Sequence, residues 1–472
     1  MKRKSGLGRA AQAPSGQEEE NSMFDAKLWS RQANLVSDVL SRAPSFDKEE
    51  RIGRDEFQRR HRAVIDALAK NGYDCGLVYS DEHYAGDVPY LAGNTNISIE
   101  PVAGVIGKNG FYLLAGLEGG YCAEQLAPRS GCQVRKVEML KLADEDYPVA
   151  ACRVEDVLEE ACGGRPRNMA LLTPSQVLPA SIYRYMADYF GDASKVADAQ
   201  EIYYKIKYIK SDIEMHMLST AAKLCDPMME AMASVIRPGM YETQVSQWAY
   251  AAAQELGVEQ MGFQVMVTSG EANRTLIGKA MNRVIQPGDY VMLGVGPKWD
   301  GLTACERATI VVTDDPAKMT DDQKYWISFT EDAYRVGLEA YLNVAQNDLP
   351  AKLQEQALVD YYASRSDEVS RRIGKPVDLS VLKPYTGTHN AGYTECQEFY
   401  GAITLNSDEP LGSQIVTMLD VAVRGFGNHW NDIVIPGLDY VLVEKTLGKY
   451  GHEVRVLNEL PVSIQNFVGR GF

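Results

Sequence analysis

The stretch that most constrains the fold lies at residues 287–312. Residues 290–295 form an apolar run, Pro297-Lys298-Trp299-Asp300-Gly301 supply turn chemistry, and residues 302–312 return as a second strand. Two strand-like runs joined by a short connection containing Pro and Gly predict a β-hairpin. A sheet must therefore lie near the middle of the chain, with helical segments before and after it.

Composition narrows the function classes. At 472 residues the chain is long enough for two or three cores, and 45% hydrophobic with 24% charged residues is ordinary for a globular protein. A net charge of −16 disfavours a nucleic-acid partner, which demands clustered Lys and Arg. No apolar run reaches the ~18 residues of a membrane span, so no membrane partner is expected. Lys2-Arg3-Lys4 is followed by no apolar segment, and the eight cysteines are scattered without a CxxC pair. Both point to reduced thiols and a cytoplasmic location.

Residues 1–22 carry almost no large apolar side chain and are expected to be disordered. A smaller α/β domain is predicted over 23–200, with helices at 55–71, 154–161 and 177–190 and strands at 75–79, 103–106, 110–115 and 169–172. A second domain, 201–472, opens at Ser211, where Ser211 and Glu214 form a capping box ahead of an apolar face of Ile213, Met217, Ala221 and Leu224. Helices at 243–256, 322–345 and 353–371 and a β-rich end including 414–423 and 427–435 complete it.

Several stretches then carry a resemblance. They are residues 206–214, Ile236-Arg-Pro-Gly-Met240, Ser269-Gly270, Ile285-Gln-Pro-Gly-Asp289, Trp299-Asp-Gly301, Gly387-Thr-His389 and Asn431-Asp-Ile-Val434. In order and spacing the chain resembles the creatinase, prolidase and aminopeptidase P family. The resemblance implies a pita-bread C-terminal domain, preceded by a smaller α/β domain: an α/β (α+β) protein. It also implies a homodimer whose sites are completed by the partner's N-terminal domain.

Metal-dependent members of that family hold two divalent ions with two Asp, one His and two Glu. By position those ligands correspond to Gly294, Cys305, His389, the vicinity of Asp420, and Asn431. One ligand of five survives, so neither a metal pair nor any other cofactor is expected. Thr303-Ala-Cys-Glu-Arg307 is closer to the metal-free creatinase, although Ile277 stands where creatinase has its catalytic His.

The resemblance and the residue types together suggest a metal-independent hydrolase of a small polar C–N-bonded compound: an amidine, guanidine, ureide or cyclic amide. His389 and His429 are the expected acid and base, since histidine moves protons near neutral pH. If 427–435 is a strand, His429 shares a face with Asn431. Glu306 and Asp420 are the expected carboxylate partners, although Glu306 alternates with Cys305 and Arg307. Substrate contacts are expected from Arg307, Cys305, Asn431, Glu398 and Glu100, with Glu395 a further candidate. Cys305 and Cys396 are possible nucleophiles, with a small apolar filler favoured for Cys305. A non-catalytic binding protein and a lyase acting on a small zwitterion are the alternatives.

Overall fold

The computed structural model describes residues 25–470 except 95–96, 143–145, 147, 149 and 396–397. The tail expectation for 1–22 and the Cys396 nucleophile lie outside the described residues.

The chain starts with α1 (Ala26–Arg42), whose first turn is capped by the Asp25 carboxylate accepting from the Leu28 amide at 3.0 Å. After α2 (Arg54–Lys70) come β1 (Cys75–Ser80), α3 (Asp87–Ala92), β2 (Val102–Gly107), β3 (Gly110–Ala115), α4 (Gly119–Ser130), β4 (Gln133–Lys136), α5 (Val154–Cys162), β5 (Met169–Leu171), α6 (Ala180–Phe190) and β6 (Val196–Asp198). Their sheet has the order β4-β3-β2-β1-β5-β6, mixing antiparallel β1-β2-β3 with parallel edges. Such mixed edges follow from the helical crossovers, which parallel strands require.

Helix α7 (Gln200–Tyr208) leads into α8 (Asp212–Val235). The Ser211–Glu214 capping box is formed, and Met217, Ala221 and Leu224 are fully buried. After α9 (Glu242–Glu255) come short β7 (Gln260–Met261) and β8 (Met266–Ser269), then the hairpin. It is built from β9 (Tyr290–Val295), β10 (Pro297–Trp299), β11 (Leu302–Thr303) and β12 (Glu306–Val311). Helices α10 (Asp321–Gln346) and α11 (Lys352–Ile373) follow, then β13 (Thr388–Asn390), β14 (Gln414–Arg424), β15 (Tyr440–Tyr450) and β16 (Glu453–Val456).

These strands make a seven-stranded antiparallel sheet in the order β13-β14-β15-β12-β9-β8, with β16 paired to β15. Strand periodicity divides its faces. Val291, Leu293, Ala308, Ile310, Leu419, Val421 and Val443 pack against the helices, each buried Val, Leu or Ile side chain stabilising by about 1.5–3 kcal/mol. The alternate positions, including Met292, Ala422, Tyr440 and Leu442, face the other way, and the polar cluster described below shares their face. One apolar cluster runs from Val36, Phe57 and Tyr90 through Met217 and Trp299 to Met418, so the two sheets are joined by continuous packing.

The expected strand at 427–435 is not one. It is the turn between β14 and β15, closed by the Phe426–Ile433 bridge, and His429, Trp430 and Asn431 are exposed on it. The Gly425 carbonyl accepts from Val434 and Ile435, which bends the chain back into β15.

Candidate active site

The polar cluster is one lateral row across four strands. Gly294 lies opposite Arg307, Arg307 opposite Glu444, and Glu444 opposite Asp420. Side chains directly opposed on one face lie about 4.5–5.5 Å apart at Cβ, so the register alone sets a cation between two carboxylates. Arg307 donates from Nε to Glu444 Oε2 and from Nη2 to Asp420 Oδ2. A Cβ added at Gly294 would come within 2.9 Å of Arg307 Cγ and 3.0 Å of Cδ. The glycine is therefore the space through which the Arg307 methylenes reach the carboxylates.

Arg307, Asp420 and Glu444 are 4%, 3% and 0% exposed. Burying ions costs several kcal/mol each unless their partners are well placed, and here one further oxygen of Asp420 and the shared oxygen of Glu444 are also served. Tyr385 donates to Asp420 Oδ1 at 2.8 Å, and its hydroxyl also meets that of Tyr440. The Cys305 thiol donates to Glu444 Oε2 at 3.3 Å. Burial raises the Glu444 carboxyl, but Arg307 and His389 outweigh it and hold it below the usual range. Asp420 moves the other way, raised by burial and by the neighbouring Glu444 charge against the pull of Arg307.

His389 comes from β13, where its neighbours Thr388 and Asn390 are buried and it is partly open. Its Nε2 lies 3.3 Å from Glu444 Oε1 and 3.4 Å from Glu395 Oε1. Burial opposes its charged form, yet Glu395 and Glu444 prevail and raise it to about 9. His389 is thus the imidazolium at neutral pH, a proton donor. Through Glu395 the cluster adjoins a cavity of about 610 Å³, lined among others by Glu82, His83, Ala85, Met266, Lys298 and Thr394.

Of the residues expected from the sequence, His389, Asp420, Arg307 and Cys305 come together, and Glu395 joins them. Glu306 does not. It points to the opposite face of the sheet, where it pairs with Lys445 beside Asp226 and Cys225, and burial raises it to about 8 against the pull of Lys445. Strand alternation decides this: with Cys305 and Arg307 on the cluster face, Glu306 between them cannot be. His429 and Asn431 sit on the exposed turn, and the Asn431 match to a lost ligand was misplaced. The residue that stands in the row is Glu444.

Glu398 is fully committed elsewhere, 2.8 Å from Lys207 and accepting from the Thr394 amide at 3.0 Å. Glu100 is buried at its own sheet's end, accepting from the Gly119 amide at 2.7 Å. Cys305 is 0% exposed, and burial followed by the Glu444 and Glu395 charges raises its thiol well above the ordinary value. It fills volume and caps a carboxylate, and no thiolate nucleophile forms there.

Glu444, Tyr385 and Tyr440 were not anticipated. The signal was available for one of them: Glu444-Lys445 interrupts the otherwise apolar run Tyr440-Val-Leu-Val, and buried charges on a strand are rarely idle.

The metal pair implied by the family resemblance does not fit these residues. By distance, His389, Asp420 and Glu444 could share an ion, as could Cys305, Glu395 and Glu444. But Gly294 offers no donor, the Cys305 thiol is held protonated, and the Arg307 guanidinium occupies an oxygen of both Asp420 and Glu444. Two divalent ions would have to displace or abut a fixed positive charge.

Comparison with known proteins agrees on the fold. Residues 216–367 match the family profile described as Metallopeptidase family M24. The chain is 29% identical over 245 residues to the putative dipeptidase YkvY of Bacillus subtilis, covering 51% of this chain and 62% of that protein. It is 23% identical over 223 residues to the Bacillus subtilis protein called peptidase YqhT, covering 47% and 60%. The matches thus span under two thirds of these relatives. Among solved structures it is similar to the Xaa-Pro dipeptidase from Bacillus anthracis (TM-score 0.64, 18% identity, 86% of this chain and 98% of that one). It is also similar to the prolidase from Pyrococcus horikoshii OT3 (TM-score 0.65, 16% identity, 85% and 99%). Among the described residues, no helix is long and apolar enough to cross a membrane. The row of sheet residues, the helices behind it and these likenesses lead to one conclusion: the chain carries a peptidase M24 domain in the pita-bread fold of the prolidases and aminopeptidases P.

Proposed function

We propose that this chain is a metal-independent hydrolase acting on a small polar compound through a C–N bond. The observation that carries the reading is Arg307, whose guanidinium bridges Asp420 and Glu444 on the row where Gly294 makes room for it. A permanent cation there supplies fixed electrostatics, and preorganised charge of this kind is a large catalytic term in a dry site. His389, protonated at neutral pH, donates a proton to the departing nitrogen. Glu395 lies 3.4 Å away with its side chain 12% exposed at the cavity, and orients and deprotonates the attacking water. Glu444 fixes the imidazole, and Tyr385 and Asp420 keep Arg307 in place.

The test is turnover by chelator-treated protein on a panel of dipeptides, guanidino acids, ureides and amidines. One relative is a putative dipeptidase, so small peptide-like amides belong in the panel. One class is expected to be hydrolysed with no effect of chelator, and His389→Gln is expected to lose roughly 10²–10⁴-fold. Activity that vanishes with chelator and returns with Mn²⁺ would overturn the proposal.

A second reading is favoured by the same cluster: both carboxylates are already satisfied by Arg307, as in a domain kept for binding alone. It expects ligand binding in the cavity without turnover of any panel member.

A further inference from the structure

The 610 Å³ cavity holds an ammonium that its surroundings do not explain. Lys298 sits on β10, opposite Gln260 and Thr303, and is 4% exposed. Among the described residues its Nζ has one hydrogen-bond acceptor, the Ala85 carbonyl at 2.9 Å, and no carboxylate within ion-pair distance. Ala85 and Lys298 both line the cavity, so the bond between them fixes Nζ at the cavity wall.

An ammonium has three donors, and a buried one without a counter-ion is costly. The nearby carboxylate does not relieve it, because Glu398 is already paired with Lys207 at 2.8 Å. Burial accordingly lowers Lys298 to about 8, with Glu398 raising it only in part. Contrast Lys207, which is equally buried but holds both Asp87 and Glu398 at 2.8 Å. The charge of Lys207 is matched by two carboxylates, and that of Lys298, a residue of the cavity lining, by none within ion-pair distance among the described residues.

We propose that Lys298 is the anion receptor of this cavity and takes a carboxylate group of the small molecule processed at His389. The rest of the lining suits the arrangement: Glu395 and Glu82 line the same cavity and favour a cationic or hydrogen-bond-donating end. The ligand class is thus a small amide or amidine bearing a carboxylate. Ala85 and Glu82 come from the loop after β1 and Lys298 from the hairpin, so both the N-terminal unit and the hairpin line the cavity.

The proposal names the substrate end for the hydrolase inferred above and so rests on that reading, but its test reads binding. Acetylglycine and acetylglycinamide, which differ only in the anionic group, are titrated calorimetrically into the full chain and into Lys298→Met. The expected result is a preference for the carboxylate of at least about tenfold, the factor carried by 1.4 kcal/mol, and its loss in Lys298→Met with amide binding unchanged. A second measurement needs no variant. Acylation of Lys298 in the wild-type chain, followed by peptide mass spectrometry, is expected to slow with acetylglycine present and not with acetylglycinamide. Equal affinities, binding of neither compound, or no protection of Lys298 would overturn the proposal. Anion preference without turnover of any panel compound would remove the hydrolase and leave the receptor standing.

Discussion

At the scale of single residues, the cluster is a problem in charge balance. Arg307 and His389 face Asp420, Glu444 and Glu395, and each ion is tolerated because its neighbours are fixed. The linkage for His389 has a definite sign. Its folded-state value is raised from the ordinary 6.5 to about 9, so its ion pairs stabilise the fold fully below pH 6.5 and are lost as pH rises through about 9. Thermal melts from pH 6.5 upward are expected to show a decline that flattens in His389→Gln. An unchanged slope in that variant would mean that the imidazole is neutral in the native state. Cys305 follows the same balance, since a thiolate beside Glu444 would add a second negative charge in contact with the first.

At the scale of elements, the hairpin and the β14–β15 pair do the positioning. Gly294→Ala puts a methyl 2.9 Å from Arg307 Cγ and 3.3 Å from Met266 Cβ. The expected outcome is a loss of about 1–3 kcal/mol in urea unfolding, as for overpacked cores, together with a displaced guanidinium. Stability equal to wild type would show that Arg307 has room to spare.

The sequence already indicated much of this level. The capping box at Ser211, the helix ends near 345 and 371 and the hairpin turn all rest on local rules, and local rules survive folding. Asp420 and His389 were recognisable through the family pattern. Glu444 was not, because its place depends on register between strands more than a hundred residues apart along the chain from Arg307, which no spacing within either strand reveals. The misreading of 427–435 has the same origin: its apolar Ile433-Val-Ile435 looks like a strand, but Gly425 and Gly427 turn the chain before pairing can extend. Glu306 was the reverse case, where alternation alone was sufficient to exclude it once Arg307 was placed.

For the whole molecule, the two sheets are locked by buried ions as well as by apolar contact. Lys207 bridges Asp87 on α3 and Glu398 beyond β13, and Arg129 of α4 holds Asp300 in the hairpin turn at 2.5 Å. Removing one partner of a buried pair costs about 3–5 kcal/mol, so Lys207→Met is expected to lower the urea midpoint by that equivalent. Because one apolar cluster spans both sheets, the loss should appear in a single calorimetric transition, and two separated transitions would contradict the continuous core. The same architecture sets Lys298 and the loop after β1 against the cavity, which makes the cluster and its access a property of the entire chain.

The central claim is that the Arg307 guanidinium, bridging Asp420 and Glu444, fills the row in which the family resemblance places metal ligands at Gly294 and near Asp420. It is tested most directly by titrating Mn²⁺ calorimetrically into chelator-treated protein, with elemental analysis of the protein as purified. The account predicts no stoichiometric metal and no saturable binding in the wild-type chain. Two divalent ions bound per chain, with hydrolysis dependent on them, would contradict it.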